Sequence, residues 1–312
     1  MTGVFVLDKP AGMTSFGAVA AARRLFGEKR IGHTGTLDPM ATGVLPLLLG
    51  RAARAAALLP ETEKEYDAAF ALGAATDTED STGRVTERTG ARVSEPELRA
   101  ALPAFCGGIL QIPPMYSAVH RDGRRLYELA REGLVVEREP RPVRVDRLEL
   151  TSFDAESQTG TLSIRCSKGT YVRTLICDLA RACGTLGMMT SLRRTAACGF
   201  SLEDAVPLET ARGLAESGAL AALVRPVDSL FPALRRVAVS GAQAVRFANG
   251  GALDPQRTAL RTAPAAPGER LRLYGPGGVF LGLAEERGGA LAVLRLFCLP
   301  EEAAAEKGGP EG

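Results

Sequence analysis

The residues best equipped for chemistry lie in GHTGTLDPMATG, positions 32–43, where glycines, a proline and small hydroxyl side chains surround a single carboxylate, Asp38. The run lacks the GKS or GKT ending of a P-loop and the GxGxxG spacing of a dinucleotide fingerprint, so a nucleotide cradle is not what it builds. It suits the presentation of one side chain. Leu37 and Pro39 stiffen the backbone on either side of Asp38, and His33 stands close by in the chain. A lone carboxylate on such a loop can act as nucleophile or base when a cation keeps it ionised. It can equally cap its own turn, and spacing alone leaves both roles open. A second pair, Tyr171 and Arg173 in SKGTYVRTL (167–175), falls where a strand meets a helix. In extended backbone, residues i and i+2 share a face, which would bring this aromatic and this cation to one pocket. An aromatic beside a surface Arg is the alternative.

The elements that must position these residues are legible from periodicity. GVFVLD (3–8) reads as a buried strand, KPAGM as a turn, and TSFGAVAAARRLFG as a helix capped by Thr14 or Ser15 and ended by Gly27. VLPLLLG, after the Asp38 loop, is an apolar strand, and KEYDAAFALG (64–73) alternates as a half-buried one. DTEDSTG (77–83) is a turn cluster, and SEPELRAALPAF (94–105) carries helix-start signals. RPVRVDRLELTSF and TGTLSIRCSKGTY return to strand spacing, and VRTLICDLARACG is an amphipathic helix ending at Gly184. Strands and helices interleave irregularly, which predicts an α+β fold and not a doubly wound sheet. The segment 113–142 is polar and Arg-rich, with interleaved Tyr116 and Tyr127, and suits an RNA-facing excursion. A Pro-flanked stretch near 225–232 separates a domain at 1–231 from a small β-rich domain at 232–300, and the acidic Ala-Gly tail at 301–312 is expected to be disordered.

Composition removes several classes of function. At 312 residues two domains are expected, and no apolar run approaches the roughly 20 residues of a membrane span. The start, MTGVFVLDKP, does not have the form of a secretory signal, so a cytoplasmic location is expected. Six cysteines form no CxxC pair and read as reduced, mostly buried thiols, and the two histidines have no partners at metal-ligand spacing. A metal or other cofactor is not expected. The formal net charge of +2 becomes +5 without the last twelve residues, and Arg dominates the basic residues. That balance points to phosphate oxygens and bases as partners, although a GC-rich genome yields the same bias. Three of the few lysines, Lys9, Lys64 and Lys168, fall inside the motif-bearing segments.

GHTGTLDPMATGVLPLLLG, KEYDAAFALGAATDTEDSTG, PPMYSAVHRDGRRLYELAREG and SKGTYVRTL together resemble the bacterial tRNA pseudouridine synthase B (TruB) family, and the likeness extends to the opening LDKPAGMTS and a late LRRT. That family isomerises the T-loop uridine at tRNA position 55. The resemblance implies that Asp38 is the nucleophile, that Arg173 pairs with it, and that Tyr66 of KEYD stacks on the target uracil. It implies further that Tyr171 packs under the uracil, Leu192 of SLRRT closes the apolar side, and His33 contacts the flipped-out T-loop bases. Lys9 and Pro10 would brace the catalytic loop. The implied fold is the pseudouridine synthase mixed sheet flanked by helices, with 113–142 as an RNA-gripping thumb and 232–300 as a PUA-like RNA-binding domain. The implied partner is the T-arm and elbow of tRNA, bound by a monomer without guide RNA, membrane or cofactor. A guide-RNA-dependent relative and a noncatalytic tRNA-folding module are the competing readings.

Overall fold

The structure is a computed structural model that describes residues 1–60, 63–121 and 123–304, Ala304 by its backbone alone. Its main feature is a mixed sheet of 11 strands. Along its main path the order is Val206–Pro207, Gly3–Lys9, Thr42–Leu49, Gly187–Ala197, Lys64–Leu72, Thr159–Cys166, Arg141–Asp154 and Gly107–Gln111. Pairing is antiparallel except where Gly3–Lys9 meets Val206–Pro207 and Thr42–Leu49 meets Gly187–Ala197.

The two apolar strands near the chain start explain the layering. Successive strand residues face opposite sides. Phe5, Leu7, Leu45, Leu47 and Leu49 enter one core, while Val4, Val6, Val44 and Leu48 enter another on the reverse face. Both faces are covered, which is why these strands are apolar at nearly every position. The first core is roofed by the helices Ser15–Phe26, Glu95–Ala101, Val172–Ala182 and Leu208–Glu216, through residues such as Val19, Leu98, Leu175 and Ala211.

The strand Gly187–Ala197 lies in the middle of this sheet, yet GMMTSLRRTAA shows no clean alternation. Two register irregularities, at Met189/Ser191 and Arg194/Ala196, each shift the face that follows, and Arg194 is fully buried. Both effects hide a period of two. The helix Leu208–Glu216 is likewise not foreshadowed by a strong capping signal, since Pro207 stands at its start without a side-chain cap.

The smaller sheet, Arg235–Ala238, Arg270–Tyr274, Phe280–Arg287 and Ala290–Leu296, has its own core around Val237, Phe247, Leu271 and Leu273. It is nonetheless fused to the first domain. Leu283 and Phe297 share the reverse-face core with Val4, Leu48, Phe200, Leu230 and Phe231. Arg51 Nε donates to the Phe297 carbonyl at 2.7 Å, and Tyr274 Oη donates to Asp228 at 2.6 Å. The Pro-flanked stretch is therefore packed core and not a free linker. Nor does the acidic tail begin at 301: Pro300–Ala304 is a short helix whose Glu302 pairs with Arg51 at 2.8 Å, an ion pair that orders its first residues. The rest of the expected tail, 305–312, lies outside the described residues.

The 113–142 excursion folds as a small unit. A hairpin of His120–Arg121 and Arg124–Arg125 leads into the helix Leu126–Arg131, and Met115, Leu126 and Leu129 form a separate cluster beneath it. Its charge is more balanced than its Arg content suggests, because five carboxylates (Asp122, Glu128, Glu132, Glu137 and Glu139) are interspersed among six Arg. Arg124 pairs with Glu132, and the guanidinium groups of Arg125 and Arg131 lie over the Tyr127 ring at 5.8 and 5.3 Å. All six cysteines are free; Cys106 is exposed, Cys183 partly so and the others buried. Among the described residues no helix is long and apolar enough to cross a membrane.

Candidate active site

The Asp38 loop is tied down from three sides. Ser15 Oγ donates to the Leu37 carbonyl at 3.0 Å and accepts from the Leu37 amide at 2.8 Å. Lys9 Nζ donates to the carbonyls of Pro10, Met13 and Pro39 at 2.9, 2.6 and 3.3 Å, and the Gly12 amide adds a bond to Pro39 at 2.8 Å. LDKPAGMTS thus braces the Asp38 loop through Lys9, while Pro10 contributes its carbonyl. From the sheet, Arg194 donates to the carbonyls of Val44, Thr36 and Gly35 at 2.7, 3.4 and 3.3 Å. Gly43 completes the fit, with φ 101° and no room for a Cβ, which would fall 2.2 Å from the Arg194 carbonyl.

Held this way, Asp38 does not cap its own turn. Among the described residues its carboxylate takes its hydrogen bonds from Arg173, Nε to Oδ2 at 2.9 Å and Nη2 to Oδ1 at 3.4 Å. The Asp38 side chain keeps 32% of its surface exposed whereas Arg173 keeps 5%, so the carboxylate is reachable and its counter-ion is not. The remaining Arg173 donors go to the Thr78 carbonyl at 2.8 Å and the Tyr116 carbonyl at 2.9 Å. A fork with five fixed donors suits this task better than an ammonium.

The pairing does not arise from the extended geometry expected of Tyr171 and Arg173. The helix starts at Val172, with Tyr171 as its extended N-cap residue and Arg173 in its first turn, so the two do not share a strand face. Tyr171 is half-buried, and its backbone is clamped by Gln111, which donates to its carbonyl at 3.0 Å and accepts from its amide at 2.8 Å.

Tyr66 and Leu192 sit on the same face of the sheet as the loop, in one core with Leu37. Tyr66 pairs across strands with Arg194, and Leu192 with Ala68. Burial pushes the Tyr66 phenol up to about 12, the Arg194 guanidinium pulling the other way, so the ring stays neutral at physiological pH. Burial pushes Lys9 down to about 8, opposed by the nearby Asp38 charge. His33 is also pushed down, by burial first and then by Arg194 and Lys64, and its Nδ1 is buried with no partner among the described residues.

Three further residues reach the site to which neither spacing nor the family likeness assigns a role. Asp80 is 5% exposed, lies 3.9 Å from Arg173 Nε, and accepts from Thr78 Oγ1, Thr82 Oγ1 and the Thr82 amide. Glu79, at φ 64°, accepts from Thr174 Oγ1 at 2.6 Å. Gln111 is the third. A run of polar turn residues does not say which will be buried; only the left-handed Glu79 turns Thr78, Glu79 and Asp80 together towards residues 173 and 174.

Two sequence models of one family match adjoining stretches: the N-terminal domain of TruB family pseudouridylate synthase over residues 23–172, and the C-terminal domain of tRNA pseudouridylate synthase B over 173–232. The chain belongs to the TruB family. Its relatives include the tRNA pseudouridine synthase B of Aromatoleum aromaticum, 43% identical over 94% of this chain and 92% of the relative. That of Stutzerimonas stutzeri is 42% identical over 95% and 96%. This TruB-family chain is accordingly an RNA-binding isomerase that makes pseudouridine in tRNA. In fold it is similar to a chain of a Cbf5-Nop10-Gar1 complex, with a TM-score of 0.73 at 23% identity, covering 97% of this chain and 87% of the other. A chain of an H/ACA RNP bound to a substrate RNA containing 2'-deoxyuridine gives 0.72 at 22% identity, covering 96% and 86%.

Proposed function

We propose that Asp38 is the reacting group and that its substrate is the T-loop uridine at position 55 of tRNA. The observation that carries this reading is the Arg173 fork on both Asp38 oxygens, with a third of the carboxylate surface left open. The reaction breaks the bond from ribose C1' to N1, rotates the uracil, joins C1' to C5, releases the C5 proton to solvent and returns a proton to N1. Atoms balance without an oxidant or co-reactant. Attack on the base, attack on the sugar and removal of a ribose proton each call on the same carboxylate, kept ionised by a buried cation. Tyr66 supplies an aromatic face for the extruded base, Tyr171 packs below it, and Leu192 closes the apolar side. His33 contacts the displaced T-loop bases.

The excursion at 113–142 acts as the thumb, and the smaller sheet as a PUA-like grip on the tRNA elbow. In this reading the chain works as a monomer without a guide RNA, in the cytoplasm where tRNA is used. The test is tritium release from bare T-arm RNA labelled at C5, with the modified position mapped. Release at position 55 by the unsubstituted protein and its loss in folded Asp38→Asn, with RNA binding retained, are expected. Substantial release by Asp38→Asn free of deamidation, or a requirement for a guide RNA, would overturn the reading.

A further inference from the structure

A second group of charges lies beside Tyr66, apart from the Asp38–Arg173 pair. A methyl group on Gly35 would fall 3.0 Å from Lys64 Nζ and 3.9 Å from Arg194 Nη1, so an ammonium and a guanidinium converge on the bare face of this glycine. Arg194 hydrogen-bonds to backbone carbonyls, not to a carboxylate. Among the described residues Lys64 Nζ has no hydrogen bond or ion pair, although burial and the Arg194 charge both weigh on it and push its pKa down. His33 feels both cations and keeps a buried Nδ1 without a partner.

Two cations, the partly covered Lys64 and the fully buried Arg194, unmatched by any carboxylate among the described residues, are unfavourable in the free protein and push the proton off His33. They become favourable when an anion with several acceptor oxygens arrives. Lys64, His33 and Gly35 are each only partly covered, so the cluster is open to a ligand.

We infer that Lys64 and His33, backed by the charge of the buried Arg194, form a receptor for one phosphodiester of the RNA substrate. Lys64 stands two residues from Tyr66 on the same face of one strand, about 7 Å along it. A phosphate held there would anchor the backbone of the extruded nucleotide while its base lies on Tyr66 and its ribose approaches Asp38. This rests on the proposed T-arm substrate and adds to it the point at which the backbone is gripped.

The experiment measures binding in an Asp38→Asn background, so that the RNA remains unmodified. T-arm RNAs each carrying one methylphosphonate are titrated against this protein and against its Lys64→Met derivative. Lys64→Met should weaken unmodified RNA about tenfold, the loss of one charged hydrogen bond, and reduce the salt slope by about one. It should also raise the melting temperature of the free protein, because an unpaired ammonium leaves the interior. One methylphosphonate position should weaken the Lys64 protein about tenfold and have no further effect on Lys64→Met. Lys64→Gln is read in the same way. Unchanged affinity, or a penalty equal on every modified RNA, overturns the inference, as does a lowered melting temperature with full affinity. RNA that is isomerised by the unsubstituted protein but shows no such pattern overturns this inference alone.

Discussion

The side-chain amide of Gln111 accepts from the Tyr171 amide and donates to the Tyr171 carbonyl, which also accepts from the Leu175 amide at 3.0 Å. Gln111 is 2% exposed and ends the outermost strand of the main sheet, so it does for Tyr171 what one more strand would do. The consequence is a fixed start for the helix that carries Arg173.

Replacing Gln111 with Leu therefore leaves the Tyr171 amide without its partner and takes one of two donors from the Tyr171 carbonyl, which keeps Leu175. A stability loss of roughly 1–3 kcal/mol is expected from the one amide left unsatisfied, measured by urea unfolding. Turnover at saturating T-arm RNA should fall about tenfold, since each displaced ångström at Arg173 reaches Asp38. Full turnover in a destabilised variant would show that the clamp serves only the fold.

Arg173 holds Asp38 and faces Asp80 while spending its other donors on the carbonyls of Thr78 and Tyr116. Arg173→Met leaves two carboxylates on one side of an emptied site, and turnover should drop below detection while RNA affinity changes little. Arg173→Lys should not restore it, because one ammonium cannot reach three directions at once. Asp80→Asn is milder: it keeps the shape of the turn and removes a second counter-charge, so a fall of about tenfold to a hundredfold in kcat with KM near its ordinary value is expected. A KM effect without a kcat effect in Asp80→Asn would place Asp80 in RNA binding instead.

How far the sequence reaches is best judged at particular residues. The Asp38 loop, the KEYD strand and the small β-rich domain are legible because glycines, period-two alternation and turn residues are local properties. Of the partners of Arg173, Asp38 is reached only through the family likeness, and Thr78, Tyr116 and Asp80 not at all, because they lie on segments whose approach depends on sheet order. Strand Gly187–Ala197 escapes notice for a local reason, two irregularities and a buried Arg, although Leu192 within it is reached through the family likeness. The likeness names Tyr171 and Arg173 together, and their expected strand geometry is replaced by an N-cap and a first helical turn.

The shared core under the smaller sheet alters what a truncation should do. Ending the chain at Phe231 would uncover Leu48, Phe200 and Phe231, which now pack with Leu283 and Phe297. Exposure of that much apolar surface should cost several kcal/mol, and the shortened protein should melt well below the full chain or aggregate, whatever its remaining activity. Calorimetry on both forms checks this; equal melting temperatures would mean that the two domains are energetically independent.

Glu79 gives stability a pH dependence whose sign can be worked out. Burial is the largest influence on its carboxyl and raises its pKa above the ordinary 4.5, against the pull of Thr174, Arg173 and Arg181 and with a small push from Asp178. Its position beside the first turn of Val172–Ala182 favours the anion, but by less than burial disfavours it. Between pH 4.5 and the raised value the folded chain binds more protons at Glu79 than the unfolded chain does. Stability from this group is therefore fully present below that window, declines as pH rises through it, and stays at the lower level above it. Glu79→Gln keeps an oxygen to accept from Thr174 Oγ1 and removes the titration. The variant should melt higher than the unsubstituted protein at pH 7, and the gap should close as pH is lowered towards the ordinary carboxylate range. Thermal melts of both proteins across that range are the measurement, and a gap that is absent at pH 7 or widens on acidification would show that Glu79 is charged and well paired in the folded chain.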